Sequence, residues 1–557
     1  MPITGAQAII KALELEGVET IFGYPGAAIC PFYDALYDSG IRHILSRNEQ
    51  GAAHAASGYA RATGRTGVCA VTSGPGSTNL ITGIATAYMD SIPLVAITGQ
   101  VTSDLIGHDS FQEADTTGAT SPFTKHNYLV KSAAELPRIL REAFYIASTG
   151  RPGPVVIDIP QDVQASRIDF AYPESVDLPG YHPDACLSRE DLAACADLLR
   201  QSRAPIICAG GGIISGNASG ELIHLAEKFQ IPVVTTLMGI GALPARHPLN
   251  LGILGSHGVY AANFALLHAD LILIVGARIG NRAMGAASEI ARRARVIHID
   301  IDPAELGKNI RPQLPIVANA RQALALLSEL DLSVRFDEWA TKTGQIRQSH
   351  KLSGLPPHLP PRRDSSVFPP YILETLAGIC GEQAIITTEV GQNQIWAANH
   401  YPIQLPRTFL SSGGMGTMGY GLPAAIGAKI GCPDKPVIAV SGDGSLQMSL
   451  QELGTIRHYN LDVKILLFNN QRLGMVHEMQ KQKFCGRCCQ VFLDHNPDFS
   501  LLAAAFGMGY GKLEDNQAAE AGLRQMMAAA GPFLLECTVD PDEPTLYSGK
   551  NEKDGSP

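Results

Sequence analysis

The residues with the clearest chemical potential lie at the two ends of one short segment. A Val/Ile-rich run at 436–440 leads into Gly-Asp-Gly around Asp443, and a second apolar run at 463–468 leads into Asn469-Asn470. A helical stretch at 448–459 separates the two runs, which predicts a right-handed strand–helix–strand crossover with both strands ending at one sheet edge. Asp443 and Asn470 should therefore lie close together. Both offer hard oxygen ligands, which suit Mg²⁺ or Ca²⁺ rather than Zn²⁺.

The glycines beside Asp443 add the capacity to hold an anion. They allow backbone amides to approach a phosphate group, and the N-terminus of the following helix contributes a favourable partial charge. Gly-Asp-Gly alone is more often a turn, and Asn-Asn alone is more often a strand end. Together, fewer than thirty residues apart, they are typical of a thiamine-diphosphate site.

A second candidate group is the carboxyl of Glu49. It follows the apolar run 41–45 and precedes the small-residue helix predicted over 51–57, where close packing is possible. Burial favours the protonated form of a carboxyl group, so Glu49 could share a proton with a ring nitrogen. The ordinary alternative is a glutamate that stabilises a helix N-terminus.

These residues belong to a chain in which helical patterns alternate with short Val/Ile/Leu-rich runs, as in parallel sheets covered by helices. Two polar, proline-containing stretches at about 164–188 and 341–363 interrupt this alternation of helices and strands. The sequence therefore predicts an α/β protein of three doubly wound parallel-sheet domains, with boundaries at 1–165, 189–340 and 364–557. Open sheets of this kind bind ligands beyond the carboxyl ends of their strands.

Composition limits the classes of partner. The 557 residues carry 43 Lys and Arg against 53 Asp and Glu, a net charge of −10, so no basic field attracts nucleic acid. Thr4 and Gln7 read as a capping box that opens a helix closed by Gly17, not as a signal peptide. No run of about 18 apolar residues predicts a membrane span. We expect a cytoplasmic protein.

The eleven cysteines are scattered, and most lie in apolar runs, as expected for buried thiols in a reducing compartment. The exception is the cluster Cys485, Cys488 and Cys489. A zinc site would need a second pair of ligands nearby, and neither a CxxC nor a histidine pair supplies one. We expect no metal or redox role for the cluster.

Motifs along nearly the whole chain resemble those of the acetohydroxyacid (acetolactate) synthase catalytic subunits, a family of thiamine-diphosphate enzymes. The segments that carry the resemblance are 22–26 (FGYPG), 72–79 (TSGPGSTN), 111–113 (FQE), 150–154 (GRPGP), 412–419 (SGGMGTMG), 442–445 (GDGS) and 474–476 (GMV). The resemblance implies domains that bind, in chain order, the pyrimidine ring, a flavin and the diphosphate. It also implies an enzyme that decarboxylates pyruvate and ligates the hydroxyethyl unit to pyruvate or 2-oxobutyrate in branched-chain amino-acid biosynthesis.

The resemblance also assigns cofactor contacts. It implies that Asp443, Asn470 and the carbonyl of Arg472 ligate Mg²⁺, and that Glu49 contacts the pyrimidine N1′ and promotes its imino tautomer. Gly416 and Met418 would hold the aminopyrimidine. The implied thiamine-diphosphate contacts are Pro25, Gly26, Glu49, Thr72, Pro75, Asn79, Gln112, Val390, Gly391, Gln392, Asn393, Gly416, Met418, Gly442, Asp443, Gly444, Ser445, Asn470, Gly474 and Met475.

A flavin site is implied in the middle domain. The run Gly210–Gly212 does not complete a G-x-G-x-x-G fingerprint because Ser215 occupies its last position, so the motif alone is weak. The resemblance nevertheless implies FAD, with a structural role. Its implied contacts are Phe111, Arg151, Gly210, Gly211, Gly212, Thr236, Leu237, Leu254, Gly255, His257, Gly276, Arg278, Arg282, Asp300, Ile301 and Asn319. Arg282 would also bind the carboxylate of the second 2-oxoacid, since a guanidinium suits that task.

Several positions depart from the family pattern. Asn393 replaces a diphosphate-contacting histidine, Met479 replaces the tryptophan that shapes the acceptor pocket, and Asn281, Asn319 and Thr102 also differ. These departures concern acceptor choice and flavin affinity more than the metal site.

The resemblance implies a homodimer or homotetramer, and a regulatory small subunit is a candidate partner. The competing functions are another thiamine-diphosphate 2-oxoacid decarboxylase or carboligase, a flavin-linked pyruvate oxidase, and a non-catalytic paralogue.

Overall fold

The fold consists of three α/β units that each contain a six-stranded sheet, in a computed structural model that describes residues 1–285, 292–350 and 366–547. All pairings within the three large sheets are parallel. A small antiparallel pair, β1 with β8, joins the N-terminus to the end of the first unit. The prediction of three parallel-sheet α/β domains is confirmed.

The strands are short and mostly buried, as expected for parallel sheets covered on both faces. They are β1 (Ile3–Thr4), β2 (Thr20–Tyr24), β3 (Arg42–Leu45), β4 (Gly67–Val71), β5 (Leu94–Gln100), β6 (His126–Leu129), β7 (Pro154–Pro160), β8 (Arg167–Ile168), β9 (Pro205–Ala209), β10 (Val233–Thr235), β11 (Asn250–Ile253), β12 (Leu271–Val275), β13 (Arg295–Asp300), β14 (Leu314–Val317), β15 (Ile385–Thr388), β16 (Phe409–Ser411), β17 (Val437–Gly442), β18 (Val463–Asn469), β19 (Gly509–Leu513) and β20 (Phe533–Thr538).

Helices occupy most of the connections between strands. The described α-helices are Gly5–Leu15, Cys30–Tyr37, Glu49–Thr63, Pro75–Asp90, Thr116–Thr120, Leu136–Ser148, Gln161–Ala165, Arg189–Arg200, Gly211–Ser215, Ser219–Phe229, Tyr260–His268, Ala320–Glu329, Asp337–Ser349, Pro369–Cys380, Gln392–His400, Gly421–Gly431, Asp443–Leu446, Leu453–Tyr459, Gly474–Lys483, Phe499–Ala505 and Ala519–Ala528. The first begins at the predicted capping box of Thr4 and Gln7. The short 3₁₀-helices include Gln447–Glu452, which continues the chain from the Asp443 turn.

Strand order separates the middle unit from the other two. The first sheet is ordered β3-β2-β4-β5-β7-β6 and the third β16-β15-β17-β18-β20-β19, so both follow the pattern 2-1-3-4-6-5. The middle sheet is ordered β11-β10-β9-β12-β13-β14, which is the 3-2-1-4-5-6 order of dinucleotide-binding folds. The outer units are therefore topological copies of each other, and the middle unit is different.

The first and third units share a hydrophobic core, whereas the middle unit has its own. The shared core includes helix Glu49–Thr63 of the first unit and helix Gly421–Gly431 of the third. Small residues let the two backbones approach, because a Cβ at Gly58 would collide with Ala424 and one at Gly427 with Ala55. This packing places the helix that begins at Glu49 directly against the third unit.

The segments predicted as linkers have different structures. Within the first predicted linker, 164–188, a helix ends at Ala165 and β8 spans Arg167–Ile168, and the chain forms no regular element between Ile168 and Arg189. The second predicted linker begins inside a helix, since Asp337–Ser349 continues through Thr341 to Ser349. Amphipathic burial of Trp339 and Thr343 keeps this stretch helical. The proline run at 356–361 lies outside the described residues.

Candidate active site

A cavity of about 1100 Å³ lies where the three units meet. Its walls come largely from residues that follow the carboxyl ends of strands in the middle and third sheets, where open α/β sheets bind ligands. This volume is slightly above the usual range for a small-molecule site, which is about 300–1,000 Å³. The cavity therefore has room for more than one cofactor-sized ligand.

The third unit brings its predicted thiamine-diphosphate and metal residues to one wall of this cavity. The residues that line it are Val390, Gly391, Gln392, Asn393, Gly416, Met418, Gly442, Asp443, Gly444, Ser445, Asn470, Arg472, Gly474 and Met475. They follow β15, β16, β17 and β18, which neighbour one another in the sheet. The register pairs Gly442 with Phe468, so the Asp443 and Asn470 turns leave the sheet side by side.

Asp443 is the buried carboxylate of this wall. It is 1% exposed, and burial raises the pKa of its carboxyl to about 6. Asn496 donates a hydrogen bond from Nδ2 to Asp443 Oδ2 at 2.7 Å, and backbone amides of the nearby turns oppose the rise in pKa. A carboxylate that is costly to ionise in a cavity wall gains from a cation beside it. This environment fits a divalent metal.

The orientation of the Asn470 amide is set by its partners. Its Nδ2 donates to Gln392 Oε1 at 2.8 Å, and its Oδ1 accepts the backbone N–H of Arg472 at 3.1 Å. A carbonyl oxygen has a second lone pair, so Oδ1 can also ligate a metal. A Cβ on Gly474 would collide with Gln392 Oε1 and press on Asn470 Nδ2. Only glycine leaves this arrangement intact.

The segment that contains Gly416 and Met418 is held by two buried carboxylates. Glu389 accepts backbone N–H groups from Gly419 at 2.6 Å and from Leu422 at 3.1 Å, and burial raises its pKa to about 7. Asp90, from the first unit, accepts N–H groups from Gly413 and Gly414 at 3.1 and 2.7 Å. The predicted pyrimidine-holding segment is therefore anchored at both ends.

The first unit places its predicted thiamine contacts together but away from this cavity. Asn79 Nδ2 donates to Glu49 Oε2 at 2.9 Å, and Gly26 packs against Thr72. Glu49 is half-buried in the single chain, and Pro25, Pro75 and Asn79 are exposed. The buried hydroxyl of Thr72 has no hydrogen-bond partner among the described residues. This face is partly open to solvent, and the Thr72 hydroxyl is a polar atom available to a ligand.

The middle unit, together with Arg151 of the first unit, supplies the other wall of the cavity from the predicted flavin set. The residues that line it are Arg151, Gly211, Gly212, Thr236, Leu237, Leu254, His257, Gly276, Arg278, Arg282, Asp300, Ile301 and Asn319. Gly210 and Gly255 lie behind this surface, and Phe111 lies elsewhere with 85% of its side chain exposed.

The turn after β9 and the turn after β12 approach each other closely in the middle-unit wall. Gly212 donates its N–H to the carbonyl of Gly276 at 2.9 Å, and Gly276 has a φ of +55°. A Cβ on Gly210 or Gly212 would collide with the Gly276 backbone. The turn after β9 therefore exposes backbone beside the cavity, as in sites that cradle a pyrophosphate.

Charged groups of the middle-unit wall are partly paired. Arg151 bridges Asp302 at 3.0 Å and Glu305 at 2.7 Å. Burial raises the pKa of Asp300 to about 6. Asn319 accepts the backbone N–H of Arg321 at 2.9 Å and so caps the helix that begins at Ala320. The predicted contact at Asn319 thus has a structural role of its own.

The two predicted substrate residues lie at the mouth of the cavity. Arg282 is exposed, and it contributes, after burial, to the lowered pKa of His257. Met479 is 44% exposed on helix Gly474–Lys483, which buries none of its residues within the chain. Both residues line the cavity.

Several residues of the site were missed by the sequence reasoning. Glu389 and Asp90 carry no motif, because their importance comes from backbone amides that reach them only in the fold. Asn496 lies 53 residues beyond Asp443 and has no sequence signal. Within residues 1–285, 292–350 and 366–547, no group of three or more His, Cys, Asp or Glu suits a metal, the cysteine cluster included.

Comparison with known proteins yields three family models and a set of close relatives. The descriptions are "Thiamine pyrophosphate enzyme, N-terminal TPP binding domain" for residues 3–119, the central domain for 192–327, and the "C-terminal TPP binding domain" for 389–537. The chain is 47% identical over 548 residues to a "Probable acetolactate synthase large subunit" of Methanocaldococcus jannaschii, covering 97% of this chain and 92% of the relative.

Two bacterial relatives are similar over comparable lengths. The acetolactate synthase large subunit of Lactococcus lactis is 44% identical over 98% of this chain and 94% of its own. The acetolactate synthase isozyme 2 large subunit of Escherichia coli is 44% identical over 97% and 96%. Among the described helices, none is long and apolar enough to cross a membrane.

Proposed function

This chain belongs to the acetolactate synthase large-subunit family of thiamine pyrophosphate enzymes, and on that premise we propose that it catalyses acetolactate synthesis. It decarboxylates pyruvate and joins the remaining two-carbon unit to a second 2-oxoacid, either pyruvate or 2-oxobutyrate, in branched-chain amino-acid biosynthesis. The enzyme is a thiamine-diphosphate-dependent carboligase.

The observation that carries the proposal is the wall made by the Asp443 and Asn470 turns. A buried carboxylate with a raised pKa and an oriented amide oxygen form a hard-oxygen donor set beside glycine-rich backbone. Asp443, Asn470 and the carbonyl of Arg472 would hold Mg²⁺, and the metal and backbone amides would hold the diphosphate. When bound, thiamine diphosphate supplies a nucleophilic carbon and an electron sink for loss of carbon dioxide.

The residues of the chain then bind, orient and exchange protons. Glu49 would exchange a proton with the pyrimidine ring, and Asn79 keeps its carboxylate oriented. The segment from Gly413 to Gly419, anchored by Asp90 and Glu389, would position the ring, since its ends are fixed before any ligand arrives. Arg282 would bind the carboxylate of the acceptor.

A second cofactor, FAD, fits the middle unit. The supporting observations are its dinucleotide-type strand order, the exposed backbone of the Gly210–Gly212 turn, and the cavity that continues from that turn to the Asp443 wall. We assign the flavin a structural role. Loss of flavin colour on anaerobic addition of pyruvate would instead favour a pyruvate oxidase.

The site also calls for a second copy of the chain. Glu49 and its neighbours lie on a partly solvent-exposed face outside the cavity, whereas the predicted metal and diphosphate residues line that cavity. A C2 dimer would complete two equivalent sites, each with Glu49 from one chain and Asp443 from the other. Because the relatives are called large subunits, we also propose a smaller partner subunit.

The direct test is product formation. The purified protein is incubated with pyruvate, Mg²⁺, FAD and thiamine diphosphate, and acetolactate is measured after acid conversion to acetoin. Acetolactate that depends on thiamine diphosphate supports the proposal. Acetaldehyde as the main product would identify a decarboxylase, and no consumption of pyruvate would leave the non-catalytic alternative.

A further inference from the structure

The edge of the first sheet is closed by polar side chains from the third unit. Strand β3 is the outermost strand of that sheet, so one side of its backbone has no strand partner. Glu452, Thr455 and Tyr459, which we call the polar stripe, face it from the 3₁₀ and α-helical segment that follows the Asp443 turn. Their spacing of three and four residues places them on one helical face.

The polar stripe follows the backbone of β3 toward Glu49. Tyr459 Oη accepts the N–H of Leu45 at 2.8 Å and lies 3.3 Å from the carbonyl of His43. The hydroxyl of Thr455 donates to Glu452 Oε2 at 2.7 Å and lies 3.4 Å from the carbonyl of Leu45. The Tyr459 hydroxyl therefore satisfies backbone groups of the strand edge that a neighbouring strand would otherwise pair, and Thr455 orients the Glu452 carboxylate beside them.

Glu452 extends the same contacts past the end of the strand. Its Oε1 accepts the backbone N–H groups of Arg47 at 3.0 Å and of Asn48 at 3.1 Å. Asn48 in turn caps the helix that begins at Glu49, with its side chain accepting the N–H of Gln50 at 2.8 Å. One carboxylate oxygen therefore holds the two residues immediately before Glu49.

The Glu452 side chain has little freedom to move. It is 1% exposed, and a Cβ on Gly51 would collide with Oε1, so the first turn of the helix closes over the carboxylate. Burial raises the pKa of Glu452, and the hydrogen bonds and the charge of Arg47 oppose that rise. Removal of this buried acceptor would leave its three hydrogen-bond donors unsatisfied, which costs free energy.

We propose that Glu452 is a positioning residue for catalysis, which fixes the backbone at Arg47 and Asn48 so that the Glu49 carboxylate meets the pyrimidine ring in a productive orientation. This inference rests on the proposed function, because it assumes that Glu49 exchanges a proton with bound thiamine diphosphate. It links the segment after the Asp443 turn to the catalytic glutamate of the same chain.

The expected effect follows from geometry. In Glu452→Ala the backbone N–H groups of Arg47 and Asn48 lose their acceptor, so the start of the helix at Glu49 can shift. A displacement of about 1 Å at a reacting group can lower the rate on the order of 10²-fold. We expect a fall of that order in kcat, with KM for pyruvate little changed. Glu452→Gln keeps an oxygen for both N–H groups and should retain most activity.

The test is a double-mutant cycle with Glu49→Gln, using the fully loaded enzyme. If Glu452 acts through Glu49, adding Glu452→Ala to Glu49→Gln should lower kcat little further, because the carboxylate that it positions is already gone. His458→Ala, which changes an exposed residue of the α-helix that follows Glu452, is the matched control. Amide hydrogen exchange of residues 47–52 in the cofactor-free protein gives an independent readout, and should rise in Glu452→Ala but not in His458→Ala.

The outcomes are distinct. Full additivity in the cycle, or a Glu452→Ala variant as active and as protected as His458→Ala, overturns the inference. Near-normal activity of Glu49→Gln alone would instead overturn the catalytic assignment in the proposed function. Should Glu452→Ala not fold, Thr455→Val, which removes the hydroxyl that donates to Glu452 Oε2, enters the same cycle with a smaller expected loss, and full additivity there overturns the inference.

Discussion

Asp158 on β7 should make the metal-free protein less stable as pH rises, and Asp158→Asn should remove that dependence. The side chain is 1% exposed, and its oxygens accept hydrogen bonds from Thr98 Oγ1 at 2.6 Å and Gln100 Nε2 at 2.9 Å. Burial, with a smaller contribution from the charge of Asp115, raises the pKa of this carboxyl from 3.8 to about 7. The folded state therefore binds the proton more tightly than the unfolded state does.

The sign and size follow from linkage. The stabilising effect of the raised pKa is complete below about 3.8 and is lost as pH rises to about 7, and the rise corresponds to about 4 kcal/mol at most. Asparagine has the same shape; its amide can donate to Thr98 and its oxygen can accept from Gln100. Asp158→Asn should thus be stabilised relative to wild type by up to about 4 kcal/mol at pH 8, and by very little near pH 4.

The assay is thermal unfolding of both proteins from pH 5 to pH 9. For a unit of 150–250 residues, 1 kcal/mol shifts Tm by about 2–4 °C, so the difference at pH 8 should approach about 10 °C. Asp169→Asn, which changes an exposed aspartate of the same unit, is the control and should show no such trend. A gain in Tm that does not depend on pH, or a loss at pH 8, would refute the reasoning.

Four further outcomes are expected. Glu49→Gln should fold and bind thiamine diphosphate but lose most turnover; near-normal kcat would remove Glu49 from the mechanism. Asp443→Ala should lose Mg²⁺-dependent retention of thiamine diphosphate in calorimetry, since one hard ligand of a few is gone, and unchanged affinity would contradict the metal assignment. Light scattering should show at least a dimer, whereas a fully active monomer would contradict the shared site. Met479→Trp should increase the preference for 2-oxobutyrate over pyruvate, because a tighter apolar pocket favours one extra methylene by about 1–3 kcal/mol. The preference is measured by competition between the two acceptors, and an unchanged preference in the variant would exclude Met479 as the determinant.

The three-domain architecture and the proximity of the Asp443 and Asn470 turns could be predicted because their signals are local. Apolar runs that end in small or polar residues specify parallel strands, and Gly-Asp-Gly and Asn-Asn end two strands that a single helical crossover connects. A crossover of this kind makes the two strands parallel, so both end at the same sheet edge, where Gly442 pairs with Phe468. The capping box at Thr4 is equally local, and the helix begins there.

Other expectations from the sequence depend on contacts that no local pattern contains. Glu49 was expected to be buried by its small-residue helix, yet the small residues face the third unit, and Glu49 stays half-buried beside Asn79. The second linker was expected from Thr341 because polar residues begin there, yet buried Trp339 and Thr343 extend the helix to Ser349.

The sequence by itself determined the order of the strands along the chain, the hard-oxygen donors and the glycines around them, because each of these follows from residue type and short spacing. Only the tertiary structure decided which carboxylates are buried, since burial depends on contacts between residues from 30 to 405 positions apart. Glu389 reaches the amides of Gly419 and Leu422 across the third sheet, and Glu452 reaches those of Arg47 and Asn48 from a different unit. A glutamate gains such partners only when the fold brings backbone N–H groups to it, and that placement is a property of the packed units rather than of any motif.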